Sequence, residues 1–207
     1  MSSVDKYGNN IKYQNILIVS SILILIISTA LVNFTERWSL ETSILLTIYN
    51  WPSWLQPILL VVSYLGSVLA AAILGVYLIL RRKKFVFLFL ASGALTYFVV
   101  EALKVAVSRP RPFETLNQDI VARDLSAHGF GFPSGHVAIA VVIAFTLKKV
   151  FPKVSLGWWI SFVGIIAISR LYLGVHDFLD VIAGAAVAIL VCFAIEILDK
   201  RTKNINK

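Results

Sequence analysis

The sequence predicts an all-α polytopic membrane protein, a bundle of six transmembrane helices with a short amphipathic helix at the outer face. Three observations carry this. Of the 207 residues, 58% are hydrophobic and 14% charged, whereas soluble domains average about 45–50% and about 25%. A soluble globule of this size cannot bury so much apolar surface. Six stretches approach the length that crosses about 30 Å of hydrocarbon. Basic residues fall in alternate connections between those stretches, the pattern that orients helices in a bilayer. The composition excludes a disordered chain, a coiled coil and a disulfide-stapled secreted domain. The single cysteine, Cys192, leaves no internal disulfide and no cysteine-based metal cluster. One domain over residues 1–207 is expected.

The spans run near 14–33, 57–80, 85–107, 135–150, 155–175 and 178–198. The fourth is the shortest and needs its flanks to complete a crossing. The first is expected to be a retained helix. Lys6 and Lys12 before it and Ser28-Thr29-Ala30 near its end also fit a cleaved leader, which leaves the later topology unchanged.

With six spans, thirteen basic residues share one side: Lys6 and Lys12; Arg81, Arg82, Lys83 and Lys84; Lys148, Lys149 and Lys153; Lys200, Arg201, Lys203 and Lys207. That side is cytoplasmic and holds both termini. The net charge of +8 is therefore an orientation signal in the plasma membrane and implies no nucleic acid partner. Arg37, Lys104, Arg109, Arg111, Arg123 and Arg170 lie outside or at outer helix ends. In the outer segment 34–56, Trp38, Ile44, Leu45, Ile48 and Trp51 recur at helical spacing, as in a helix lying in the interface. Trp51, Trp54, Trp158 and Trp159 read as interface anchors.

Ionisable residues inside spans are expensive and mark function. Here they share one level. Lys104 and Arg111 end the third span around Arg109-Pro110-Arg111-Pro112, where two prolines stop the helix and set an extended turn. A guanidinium in such a turn grips two phosphoryl oxygens, although a snorkelling pair at a helix end reads the same. Pro133-Ser134-Gly135-His136 opens the fourth span. Its exposed N–H groups attract anions and Gly135 permits close approach; an ordinary capped helix is the plain alternative. Arg170 closes the fifth span, and His176 and Asp180 are four apart, on one face of a helix. A carboxylate on one ring nitrogen leaves the other as a free lone pair, as a nucleophile or base requires. A buried pair that only locks a helix has the same spacing.

Together, Lys104-x6-Arg111-Pro112, Pro133-Ser134-Gly135-His136 and Ser169-Arg170-x5-His176-x3-Asp180 resemble the three-part signature of the type 2 phosphatidic acid phosphatase superfamily. All three parts are present, in order and on one side, over residues 104–180. Size and compact loops resemble the bacterial phosphatidylglycerophosphatase B and undecaprenyl-diphosphatase enzymes. The resemblance implies a metal-independent lipid phosphate phosphatase that works through a phosphohistidine at the extracytoplasmic face, with no cofactor. Its substrate, drawn from the bilayer, is phosphatidylglycerol phosphate, undecaprenyl diphosphate or phosphatidic acid. His176 is then the nucleophile and Asp180 its orienting partner. His136 is the acid for the leaving oxygen and the base for water. Lys104, Arg111, Ser134, Gly135 and Arg170 bind the phosphate. The sequence itself offers no carboxylate cluster for magnesium and no His/Cys set for zinc.

Other polar residues read as support. Glu101 pairs with Lys104 one turn away. Arg109, Arg123, Asp124 and His128 read as loop residues, with Arg109 within reach of a headgroup. Asp177 points away from its neighbour His176, and Cys192 is an inert packing residue. Phe113, Phe130 and Phe132 line a lipid route or simply pack. A transporter of anions or lipids, using the same cations for binding, is the reading from another class. It requires polar residues continuing down the spans, and spans four to six carry few.

Overall fold

The computed structural model describes residues 3–34, 37, 39–116 and 120–205, with the backbone alone at 3–13, 34 and 203–205. Trp38 and Lys207, and the side chains of Lys6, Lys12 and Lys203, lie outside the described residues. Among those described there is no strand. The helices are α1 (Ser3–Phe34), α2 (Ser39–Tyr49), α3 (Gln56–Tyr64), α4 (Val68–Arg81), α5 (Val86–Val107), α6 (Pro112–Thr115), α7 (Gly135–Val150), α8 (Leu156–Tyr172) and α9 (Phe178–Ile205).

Among the described residues, three helical stretches are long and apolar enough to cross a membrane unaided: Gln14–Asn33, Lys83–Thr115 and Phe178–Thr202. The last is half buried inside the bundle, whereas only 11% of the first is. Helix α9 is thus central, packed on α1, α5 and α7, while α1 lies at the rim. Helix α7 is buried on all sides from Val137 to Ala144, as a helix that is apolar all round should be. Along the rims of α1, α4, α5 and α8, residues such as Leu23, Leu80, Phe98 and Trp158 face outward, a surface suited to lipid.

The stretch expected as one span over 57–80 is broken. Turn bonds at Leu65, Gly66 and Ser67 end α3, and the Ser67 hydroxyl accepts the Ala70 N–H to start α4. The break also sits at a tertiary contact. A β-carbon at Gly66 would stand 2.6 Å from the His136 carbonyl oxygen, so the chain bends where it meets the start of α7. Helix α2 makes an 83° bend with the segment Ser53–Tyr64. A helix is present within the segment 34–56, and it buries Glu41, Leu45 and Tyr49. Ile44 and Ile48 are half-buried and Trp51 is exposed.

Helix ends set the site. Ser108, in the left-handed region at φ 50°, stops α5, and Arg109-Pro110-Arg111-Pro112 leaves it as an extended turn. Helix α8 stops at Tyr172, and Gly174 at φ 70° turns the chain so that Val175, His176 and Asp177 lie between α8 and α9. Glycine takes that conformation without the penalty of a β-carbon. The C-terminal ends of α5 and α8 and the N-terminal ends of α7 and α9 thus share one end of the bundle. Helices α2 and α3 pack against α8 there.

Candidate active site

His176 is 2% exposed. Its Nδ1 stands 3.3 Å from Asp180 Oδ2, and the same oxygen accepts the Asp177 N–H at 2.9 Å. With Nδ1 facing the carboxylate, Nε2 carries the lone pair. Burial pushes the His176 imidazole down to about 4, helped by Arg111 and Arg170 and opposed by Asp180. The ring is therefore neutral near pH 7.

The start of α7 abuts the start of α9. The Ser134 N–H donates to the Asp180 carbonyl at 2.9 Å. A β-carbon at Gly184 would stand 2.4 Å from the Ser134 carbonyl oxygen, so only glycine allows this approach. The geometry places His136 at the same end as His176. Lys104 reaches it from α5, its Nζ 3.9 Å from where a Gly135 β-carbon would be and 2.7 Å from Glu101 Oε1.

Two arginines are held by groups that leave donors over. Arg111 donates to the carbonyls of Gly129, Val175 and His128, each at 2.8 Å. A guanidinium has five N–H donors, so two remain. Arg170, only 2% exposed, donates from Nη1 to Ser63 Oγ at 2.6 Å and Asp124 Oδ2 at 2.8 Å. Its Nε is buried with no partner among the described residues, and so is the Ser134 hydroxyl. Ser134 precedes α7 but its side chain caps nothing. Buried donors are almost always satisfied. Two orphans beside a neutral imidazole and three cations describe a place for an acceptor-rich anion.

The structure thus gathers Lys104, Arg111, Ser134, Gly135, His136, Arg170, His176 and Asp180 at one end of the bundle. It turns Arg109 inward and adds partners to three others. Arg109 is buried and turns inward, away from any headgroup. Its Nη2 donates to Glu41 Oε2 at 2.7 Å, and its Nη1 to Asp180 Oδ1 at 2.7 Å and Glu41 Oε1 at 3.1 Å. Glu41 also accepts the Leu179 N–H. Asp177 is fully buried and faces Arg37 at 2.9 Å and Arg109 at 3.5 Å. Burial and the Asp180 charge raise its carboxyl to about 7, against Arg109 and Arg37. Asp124 is buried too. Burial alone would raise it, but hydrogen bonds from Ser126 and Arg170 hold it below the usual carboxylate range. Arg123 lies over the rings of Tyr49 and Tyr172 and ties the 120–131 loop to α2 and α8. Of the three phenylalanines, Phe132 is fully buried, Phe113 half-buried and Phe130 partly exposed.

Glu41 and Ser63 are functional candidates that the motifs do not contain. A signal existed for Glu41, which shares a helix face with Leu45 and Tyr49 at i+4 and i+8. An acid on an apolar stripe must meet a cation.

A profile of the PAP2 superfamily matches residues 85–203. The chain is similar to undecaprenyl-diphosphatase of Sulfolobus acidocaldarius, 32% identical over 109 residues, 50% of each chain. It therefore spans half the length of that relative. It is also similar to phosphatidylglycerophosphatase B of Bacillus subtilis, 29% identical over 168 residues, 72% of this chain and 78% of that one. Among solved structures, the transmembrane PAP2-type phosphatidylglycerolphosphate phosphatase of Bacillus subtilis superposes with a TM-score of 0.70. It is 25% identical and covers 89% of this chain and 96% of its own. LpxE of Aquifex aeolicus gives 0.69 at 28% identity, covering 79% and 98%.

Proposed function

The chain belongs to the PAP2 superfamily, and on that premise we propose that it hydrolyses the terminal phosphate of a membrane lipid at the extracytoplasmic face. The candidate substrates are phosphatidylglycerol phosphate and undecaprenyl diphosphate, with phosphatidic acid as the third. One observation carries the reading. Two buried orphan donors, Ser134 Oγ and Arg170 Nε, lie among the same residues as a neutral His176 held by Asp180.

In the proposed reaction the phosphate sits among Lys104, Arg111, Arg170, Ser134 and the Gly135 N–H at the start of α7. His176 Nε2 attacks phosphorus in line, while Asp180 holds the Nδ1 proton and stabilises the cation that forms. His136 protonates the departing lipid oxygen, then takes a proton from the water that cleaves the phosphohistidine. Three cations supply the charge neutralisation. A cavity of about 500 Å³ between α4 and α5, walled by Val68, Phe89, Tyr97 and Ile139, suits an acyl or prenyl chain. Ile139 lies one turn below His136, so headgroup and tail would be continuous.

The proposal includes six crossings with both termini cytoplasmic, as the basic connections require, and one domain over the chain. Phosphate release from a panel of lipid monophosphates and diphosphates in detergent, with and without a strong chelator, tests it. Release that survives the chelator and is lost in His176→Ala is expected. A folded protein inert to every lipid phosphate would overturn the enzyme reading in favour of transport. Loss of turnover with the chelator would overturn the metal-free scheme.

A further inference from the structure

A second feature lies at the other end of α7, about 18 Å from His136 at 1.5 Å per residue. Helices α7, α8 and α9 enclose an apolar groove of about 430 Å³, walled by residues including Phe145, Trp159, Val163 and Ile189. Its size is that of a ligand cleft, about 300–1,000 Å³. Apolar walls alone would say only that a lipid bilayer covers it. The mouth says more, because Lys148 and Lys149 stand there.

Lys148 donates to the carbonyls of Pro152 at 2.8 Å and Val154 at 2.7 Å. These bonds fix the ammonium without neutralising it, and no carboxylate among the described residues lies within ion-pair distance of it. Lys149 pairs with Glu196 at 2.8 Å, but Lys200 shares that carboxylate at 2.8 Å. Two ammonium groups therefore divide one negative charge. On the same wall, the Trp159 indole N–H is buried and has no acceptor among the described residues. An apolar groove, an uncompensated ammonium at its mouth and a donor lacking an acceptor call for one molecule with a hydrocarbon tail and an anionic, acceptor-rich head. Basic pockets between transmembrane helices bind such headgroups.

We propose that the α7–α8–α9 groove is a second, non-catalytic site for one anionic phospholipid. Its acyl chain lies against Phe145 and Val163, and its phosphodiester meets Lys148 and the Trp159 N–H. In the orientation proposed above this is the inner leaflet, so the site is separate from the substrate's. It stands or falls independently of the phosphatase reading.

The probe is phosphatidylglycerol with a diazirine on one acyl chain, photolysed with the full-length protein in detergent and mapped by peptide mass spectrometry. The control is the phosphatidylcholine analogue. Label concentrated within residues 141–164 and 185–189, stronger for the anionic lipid, is expected. Lys148→Gln should reduce the anionic preference about fivefold, the contribution of one lysine near an anionic surface. Gly164→Leu should fill the groove and remove the label. A β-carbon at Gly164 meets nothing within 4 Å, so this variant should fold. Phosphate release by both variants should match wild type. Label spread over α1, α4 and α5 in proportion to exposure would overturn the proposal. So would equal labelling by the two lipids, or label unchanged in Gly164→Leu. Label at Gly93, Tyr97 and Ile139 alone would assign the lipid to the substrate's groove instead.

Discussion

Arg109 and Arg111 are two residues apart, both buried, and used in opposite ways. Arg109 is surrounded by charge, with Glu41, Asp177 and Asp180 all within 3.5 Å. Arg111 meets only neutral carbonyls, at Gly129, His128 and Val175. A guanidinium held among three carboxylates, as Arg109 is, can position but has little left for an anion, whereas Arg170 meets the single carboxylate of Asp124 and keeps its Nε unpartnered among the described residues. A guanidinium held by carbonyls is fixed in place while its charge stays available. The site therefore has two halves. A satisfied half, Glu41–Arg109–Asp180, sets the carboxylate that orients His176. An unsatisfied half, Arg111, the Arg170 Nε and Ser134, is where the proposed phosphate would bind.

The comparison breaks most visibly at Arg111. Arg111→Lys keeps the charge but loses the planar fork, so it should lower kcat/KM about 10²–10³-fold. Inhibition by inorganic phosphate should weaken in parallel. If phosphate inhibition is unchanged while turnover falls, Arg111 belongs with Arg109 and the division fails.

Ser134→Ala comes next. In the free protein the hydroxyl has no partner, so its removal should leave the melting temperature unchanged or slightly higher. Turnover should nevertheless fall about 10–100-fold, the loss of one hydrogen bond to a charged group. A drop in stability without loss of kcat/KM would mean that the hydroxyl serves the fold alone.

The satisfied half is tested by Glu41→Gln. Glutamine can still accept the Leu179 N–H but no longer balances Arg109. We expect kcat to fall about tenfold through a less well held Asp180, with KM and phosphate inhibition unchanged. Destabilisation should stay below the about 3–5 kcal/mol of deleting a buried partner, because Asp177 and Asp180 still face Arg109. A rise in KM equal to the fall in kcat/KM would place Glu41 in the binding half.

These two halves differ equally in how legible they were in the sequence. Most of the binding half is local, and so is the His176–Asp180 pair beside it. Lys104 and Arg111 bracket a helix end, Ser134 and Gly135 open a helix, and His176 and Asp180 are one turn apart, so spacing and turn chemistry expose them. The positioning half is made at long range. Glu41 meets Arg109 across 68 positions, and Ser63, the support under Arg170 of the binding half, comes from 107 positions away. Pairs so distant leave no period in the chain. Arg109, Asp124 and Asp177 accordingly read as loop or bystander residues until the fold buried them. The helices show the same divide. Those expected over 85–107, 135–150, 155–175 and 178–198 correspond to α5, α7, α8 and α9, because apolar length and end signals are local. The break at Leu65–Ser67 has a local part in Gly66 and the Ser67 cap, but the close approach of the His136 carbonyl that requires glycine there is long-range and leaves no period.

The smallest effect compares the two halves through protons. His176 titrates near 4 when folded and about 6.5 when unfolded. Between those values the unfolded chain holds the extra proton, so this group makes stability fall as the pH drops. Asp177 titrates near 7 when folded and about 3.9 when unfolded. Over nearly the same window the folded state holds the proton, so this group makes stability fall as the pH rises. The two slopes oppose each other, so the net tilt these two groups add to the wild-type melting curve is smaller than either alone. Asp177→Asn removes one slope and should make melting drop on acidification. His176→Gln removes the other and should, relative to wild type, tilt melting towards lower stability as the pH rises to about 7. Scanning calorimetry of the three proteins in detergent at matched ionic strength reads the tilt. If both variants tilt the same way, the two groups do not carry opposite protonation changes on folding, and the neutral His176 required of a nucleophile loses its support.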